Sequence, residues 1–133
     1  MTNKFRAWDK KEKKFIYFNG IFNTRPFKEI STFSQYDSIK EYLHLEDPDE
    51  FIGLHDKKGK EIYEGDIVTD HVGTGAVEYV EKYGAFRVNY KNGLCKWFYD
   101  YSLRGERESI RVIGNIFENP EILAGIKSCS LPT

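Results

Sequence analysis

Glu61, Glu64, Asp66 and Asp70 crowd one short stretch of this chain, and paired carboxylates are the side chains of general acid–base catalysis or hard-cation binding. Two of them, Glu64 and Asp66, flank Gly65. Short acidic side chains at such corners bond neighbouring backbone N–H groups, so the stretch reads as a braced turn. His55-Asp56 and Asp70-His71 raise a second chemistry, since imidazole with carboxylate suits zinc or manganese. Strand alternation argues against it: Asp70 shares a face with Val68 and His71 takes the other, so the donors need not converge. His44 stands apart from both pairs, and the spacing fits no closed zinc motif. Gly73-Thr74-Gly75 is too short for a phosphate cradle and lacks the following lysine and helix. Cys95 and Cys129 have no metal or redox spacing, and Cys95 reads as a small packed strand residue. No catalytic, cofactor-binding or metal-ligating set is expected, and the chain is read as a non-enzyme.

Two surfaces remain. Lys4, Arg6, Trp8, Lys10, Lys11, Lys13 and Lys14 alternate with Phe5, Phe15 and Tyr17 near the N-terminus. Cations on phosphates and rings on bases are the means of single-strand recognition, which makes these seven residues the candidate nucleic-acid contact. The competing and favoured reading is a solvated hairpin whose lysines blunt an edge strand and charge a turn. Further along, Lys96-Trp97-Phe98-Tyr99-Asp100-Tyr101 carries rings on both faces of a strand. One face can be core; the other needs a cover, which makes Trp97, Phe98, Tyr99 and Tyr101 the candidate protein interface.

Strands must position these residues. Runs at 4–8 and 14–18 flank the charged loop 9–13 and predict a β-hairpin, and the turn dipeptide Asn19-Gly20 ends its second run. Residues 21–33 contain Pro26 and predict at most a short edge strand. Residues 35–45 place Tyr36, Ile39, Tyr42 and Leu43 at helical spacing after a Ser34 cap, and Asp47-Pro48 stops them. From residue 51 the period is two. Strands are predicted at 51–55, 61–63, 67–72, 76–83, 85–90, 94–101 and 110–117, with Asn92-Gly93 as a two-residue hairpin turn. Residues 119–124 predict a short terminal helix with Pro120 in its first turn, followed by a frayed tail to residue 133.

The fold expected is mainly β (α+β): a small bent sheet or SH3-like barrel over about 51–118, kinked at Gly65, Gly73, Gly75 and Gly84. Beside it lie the N-terminal hairpin and helix of 1–50 and the segment 119–133, all in one domain over 1–133, as its length of 133 residues allows. Net charge is −1, so no overall field demands a charged partner. Its placement is uneven: residues 1–28 hold eight Lys/Arg against two Asp/Glu, and residues 29–66 hold four against eleven. Complementary +6 and −7 regions can pair within one fold or between copies, and the chain is expected to form a homo-oligomer. Ten Phe, nine Tyr and two Trp are more rings than one small core hides, so some sit at partly wet surfaces. No secretory apolar segment and no membrane-spanning run is present, and a cytoplasmic location with no membrane partner is expected.

Four blocks carry a family resemblance: Lys-Phe-Arg-Ala-Trp-Asp at 4–9, Gly-Leu-His-Asp-Lys-Lys-Gly-Lys-Glu-Ile-Tyr-Glu-Gly-Asp-Ile-Val at 53–68, Gly-Ala-Phe-Arg-Val at 84–88 and Val-Ile-Gly-Asn-Ile-Phe-Glu-Asn-Pro-Glu at 112–121. In this order they resemble the YopX family, small proteins encoded by phages and prophages. The resemblance implies a phage origin and expression in a bacterial cytoplasm; a phage or host protein is separately expected as a partner. It implies no catalytic residue, cofactor or substrate. Residues 21–50 share no pattern with the family.

Overall fold

The computed structural model describes residues 4–20, 44–99 and 109–125. The chain divides into two compact units, Met1–Phe51 and Ile52–Thr133.

In the first unit, β1 (Lys4–Asp9) and β2 (Lys14–Asn19) form the expected antiparallel hairpin, in register from Lys4↔Asn19 to Asp9↔Lys14. Asp9 makes the turn. Its Oδ1 accepts the Lys11 and Glu12 N–H groups at 2.9 and 3.0 Å, and its carbonyl accepts Lys13 N–H at 2.8 Å. Alternation then sorts the side chains. One face carries Phe5, Ala7 and Phe18, which pack with Leu45 as a small core; the other carries Arg6, Trp8, Phe15 and Tyr17. A third strand, β3 (Asp49–His55), starts here and pairs Asp49 with Arg6 and Glu50 with Phe5.

In the second unit the later half of β3 is hydrogen-bonded to β4 (Glu61–Tyr63). A five-stranded antiparallel sheet follows: β5 (Asp66–Thr69), β6 (Thr74–Val80), β7 (Ala85–Tyr90), β8 (Cys95–Trp97) and β9 (Arg111–Asn115), in the spatial order β8-β7-β6-β5-β9. The sheet is curled, with a register shift between Ile67 and Val68 where β5 meets β9. Period-two alternation points Val68, Val77, Val88 and Tyr90 inward, where they meet Ile62, Phe98 and Ile110. Gly75 is required by proximity: a Cβ there would overlap the Asn89 carbonyl and approach Tyr90 Cα to 2.7 Å.

Four sequence expectations are corrected. Strand β8 ends at Trp97 instead of running to residue 101, because the chain turns at Phe98 and seats that ring in the core; Tyr101 lies outside the described residues. The β7–β8 connection is a three-residue loop, not a two-residue one. Gly93 N–H bonds the Tyr90 carbonyl at 3.1 Å and Tyr90 N–H bonds the Leu94 carbonyl at 2.9 Å, with Gly93 alone of the three at positive φ, 91°. This is the type I turn with a glycine bulge. The strand expected at 76–83 stops at Val80 and closes in a 3₁₀ turn, Glu81–Tyr83, with Gly84 left-handed at φ 60°. The terminal helix is one 3₁₀ turn, Pro120–Leu123. Asn119, its natural cap, is spent instead on the end of β9, where its Oδ1 accepts Asn115 N–H at 3.3 Å. The helix expected at 35–45 lies outside the described residues except for its end, where His44 has φ 53° and Leu45 bridges to Asp9, neither of them helical. The strand at 21–33 and the tail from 126 onward lie outside them too.

Candidate functional site

The carboxylates of the central stretch are held by backbone. Asp66 is buried and its Oδ2 accepts Tyr63 N–H at 2.8 Å across the Glu64-Gly65 corner. Asp70 Oδ1 accepts Val72 and Gly73 N–H at 2.8 and 3.2 Å, and its Oδ2 accepts the buried Tyr90 hydroxyl at 2.6 Å. Glu61 accepts the Tyr63 hydroxyl at 3.3 Å.

Asp56 is the most heavily bonded. Oδ1 accepts Lys58 and Lys60 N–H, both at 2.9 Å, and Oδ2 accepts Val112 N–H at 3.0 Å. It thus ties the β3–β4 turn to β9. Burial raises its pKa, but the backbone donors of Val112, Lys60 and Lys58, together with the Lys60 charge, outweigh that and hold it below the ordinary carboxylate range. Neighbouring His55 and the more distant His71 are exposed. Among the described residues no group of three or more His, Cys, Asp or Glu side chains is arranged to hold a metal.

The hairpin divides the seven candidate nucleic-acid residues. Arg6 is only 3% exposed: its guanidinium lies 4.0 Å from the Phe15 ring centroid and its Nε is 3.4 Å from Asp49 Oδ2. Trp8 is 6% exposed and packs edge-on against Phe15 at 5.0 Å. These two are braces within the unit. Lys4, Lys10, Lys11, Lys13 and Lys14 are exposed, and so is Tyr17.

The aromatic strand divides as well. Phe98 is core, Trp97 is half-buried and Tyr99 is 57% exposed. Trp97 is gripped from two sides, by Arg87 at 5.5 Å and by Tyr83 edge-on at 5.5 Å, while Tyr99 stacks at 6.5 Å. Cross-strand register explains the first contact, since Arg87 stands opposite both Trp97 and Glu78; its Nε donates to Glu78 Oε1 at 2.6 Å. Tyr83, against Trp97, and Leu94, just before β8, are both about half exposed. Sequence reading missed them because both occupy turn edges; the glycine after Tyr83 was the available signal. Cys95, expected as a small packed strand residue, is half-buried at the start of β8.

Braced corners, a curled antiparallel sheet and exposed rings near an edge strand define a β-rich protein. The chain belongs to the YopX family: the family model described as YopX protein matches residues 4–124. Among solved structures it resembles the crystal structure of protein EF1440 from Enterococcus faecalis, at 24% identity and TM-score 0.51, over 90% of this chain and 96% of that one. That likeness concerns the fold alone. No curated protein matches.

Proposed function

We propose that this chain is a non-enzymatic phage or prophage accessory protein, a binding or assembly module that self-associates and partners a phage or host protein. One observation carries the reading. The carboxylates that could do chemistry, Asp56, Asp66 and Asp70, are engaged by backbone N–H groups, whereas Tyr83, Leu94 and Tyr99 are left largely in water. Large rings exposed together near a sheet edge favour association. The return of β9 to lie beside β5 supports reading the curled sheet as SH3-like. Light scattering at micromolar protein tests self-association: an oligomer that persists in moderate salt is expected, and a clean monomer refutes it.

A second reading, nucleic-acid binding, is favoured by one feature, the exposed lysines at the tip of the N-terminal hairpin. Among the described residues no ion pair engages Lys10, Lys11, Lys13 or Lys14. Binding through them weakens steeply as salt rises. Retardation of single-stranded DNA or RNA at low salt, lost on reversing these four charges, supports it; no retardation removes it.

A bacterial cytoplasm is the proposed compartment. Among the described residues no helix is long and apolar enough to cross a membrane. Fractionation of expressing bacteria tests it: recovery with cytoplasmic markers is expected, and recovery outside them refutes it.

A further inference from the structure

We propose that Asn92 is a site of spontaneous covalent modification, a deamidation that the fold directs to one of its two Asn-Gly dipeptides. The chain contains Asn19-Gly20 and Asn92-Gly93, and glycine after asparagine leaves the following amide nitrogen unshielded. The fold treats the two differently. Both asparagines are exposed, but Asn19 ends β2 in register with Lys4, and Gly20 behind it, which carries the attacking nitrogen, is buried. Asn92 is exposed at the tip of the β7–β8 loop, and nothing lies within 4 Å of where a Gly93 Cβ would stand. Its Oδ1 accepts Leu94 N–H at 2.9 Å, a bond that polarises the side-chain carbonyl toward attack. The Gly93 nitrogen donates to the Tyr90 carbonyl at 3.1 Å, and opening of an exposed loop tip, the lowest-energy kind of local unfolding, frees it.

The step balances without a cofactor. The Gly93 nitrogen loses its proton to water or hydroxide and bonds to Asn92 Cγ. The Cγ–Nδ2 bond breaks and ammonia leaves, giving a five-membered succinimide. Water then opens that ring at either carbonyl, yielding aspartate or isoaspartate and one new negative charge. The product matters locally, because Asn92 Nδ2 donates to the Val72 carbonyl at 3.3 Å. A carboxylate there sets acceptor against acceptor and removes a tie between the β5–β6 and β7–β8 loops; isoaspartate also adds a methylene to the loop backbone.

The test holds the full-length protein at mildly alkaline pH, samples it over time, and maps both dipeptides by digestion and mass spectrometry, with isoaspartyl methyltransferase labelling. Asn92 should convert several times faster than Asn19 in the folded protein, the two should converge in denaturant, and Asn92→Gln should abolish labelling at that loop. Equal rates in the folded state, faster loss at Asn19, or an Asn92 that stays intact each overturns the proposal.

Discussion

Replacing Asp56 by Asn removes one charge and reverses one hydrogen bond, and the two effects can be sized. The two N–H groups of Lys58 and Lys60 still find the Oδ1 acceptor, but an Nδ2 donor now faces Val112 N–H in place of the Oδ2 acceptor 3.0 Å away. A hydrogen bond to a charged group contributes about 1.5–3 kcal/mol, and a buried donor left unsatisfied costs about 1–3 kcal/mol. These overlap, so the expected loss is about 3 kcal/mol at neutral pH. With a urea slope of about 1.5 kcal/mol per molar, the unfolding midpoint falls by about 2 M. The sign of the pH dependence follows from the depressed pKa of Asp56. The unfolded chain binds more protons in acid, so this stabilisation is complete above the unfolded carboxyl value of about 3.9 and lost as pH falls through the lower folded value. Urea curves of wild type and Asp56→Asn, followed by circular dichroism, should therefore begin to approach one another as the pH falls below about 3.9 and close further through the lower folded value, because the other acids are common to both. Asp9→Asn is the control. Asp9 Oδ2 is buried with no hydrogen-bond partner, so neutralising it removes a desolvated charge while Oδ1 keeps its two donors, and stability should change by less than about 1 kcal/mol. A gap between wild type and Asp56→Asn that stays constant into acid, or an Asp9→Asn loss as large as that of Asp56→Asn, would refute the reasoning.

Gly75→Ala drives a methyl into the backbone of Asn89 and Tyr90 and should cost about 3 kcal/mol or more, whereas Gly59→Ala meets open space at φ 85° and should cost about 1–2 kcal/mol; thermal melts rank them. Arg6→Lys keeps the charge but loses the planar stack on Phe15 and the reach to Asp49, so a stability loss of about 1–2 kcal/mol is expected in urea unfolding. Glu78→Ala strands the buried Arg87 guanidinium, half-compensated by Trp97, and should lower the thermal midpoint more than removal of the exposed Glu81 does.

The hairpin at 4–18 was legible because aromatic alternation around a charged loop has one economical solution, and β4 and β7 matched residue for residue because glycines punctuate them on both sides, Gly59 and Gly65 for one, Gly84 and Gly93 for the other. Strand ends were not legible where packing decides them. Nothing local says that Phe98 leaves the sheet; that follows from a core vacancy beside Ile62 and Ile110, which lie far from it in sequence. Nor could sequence say that Asn119 would bond Asn115 and forgo capping the next turn. The candidate surfaces failed to be fully legible for a related reason. Arg6 and Lys10 look alike as cations in a basic run, and only pairing with Asp49 and stacking on Phe15 separate the brace from the solvated charge.

Each block that carries the family resemblance contains braces of the fold. In 4–9 they are Arg6, Trp8 and Asp9; in 53–68, Asp56 and Asp66; in 84–88, left-handed Gly84 and Arg87 on Glu78. In 112–121, Asn115 Oδ1 accepts Phe117 and Glu118 N–H, and Gly114 leaves room for the Asn119 side chain. A family recognised by its braces is recognised by what it must do to fold. A side chain already holding a corner cannot be redirected to a ligand without loosening that corner, so residues outside those blocks are the better candidates for partner binding. Lys10, Lys11, Lys13 and Lys14 at the hairpin tip and Tyr83, Leu94 and Tyr99 about β8 meet that condition: all are exposed, and none supplies a cap to a turn. Substitution there should leave folding intact and change partner binding, while substitution of the braces should do the reverse.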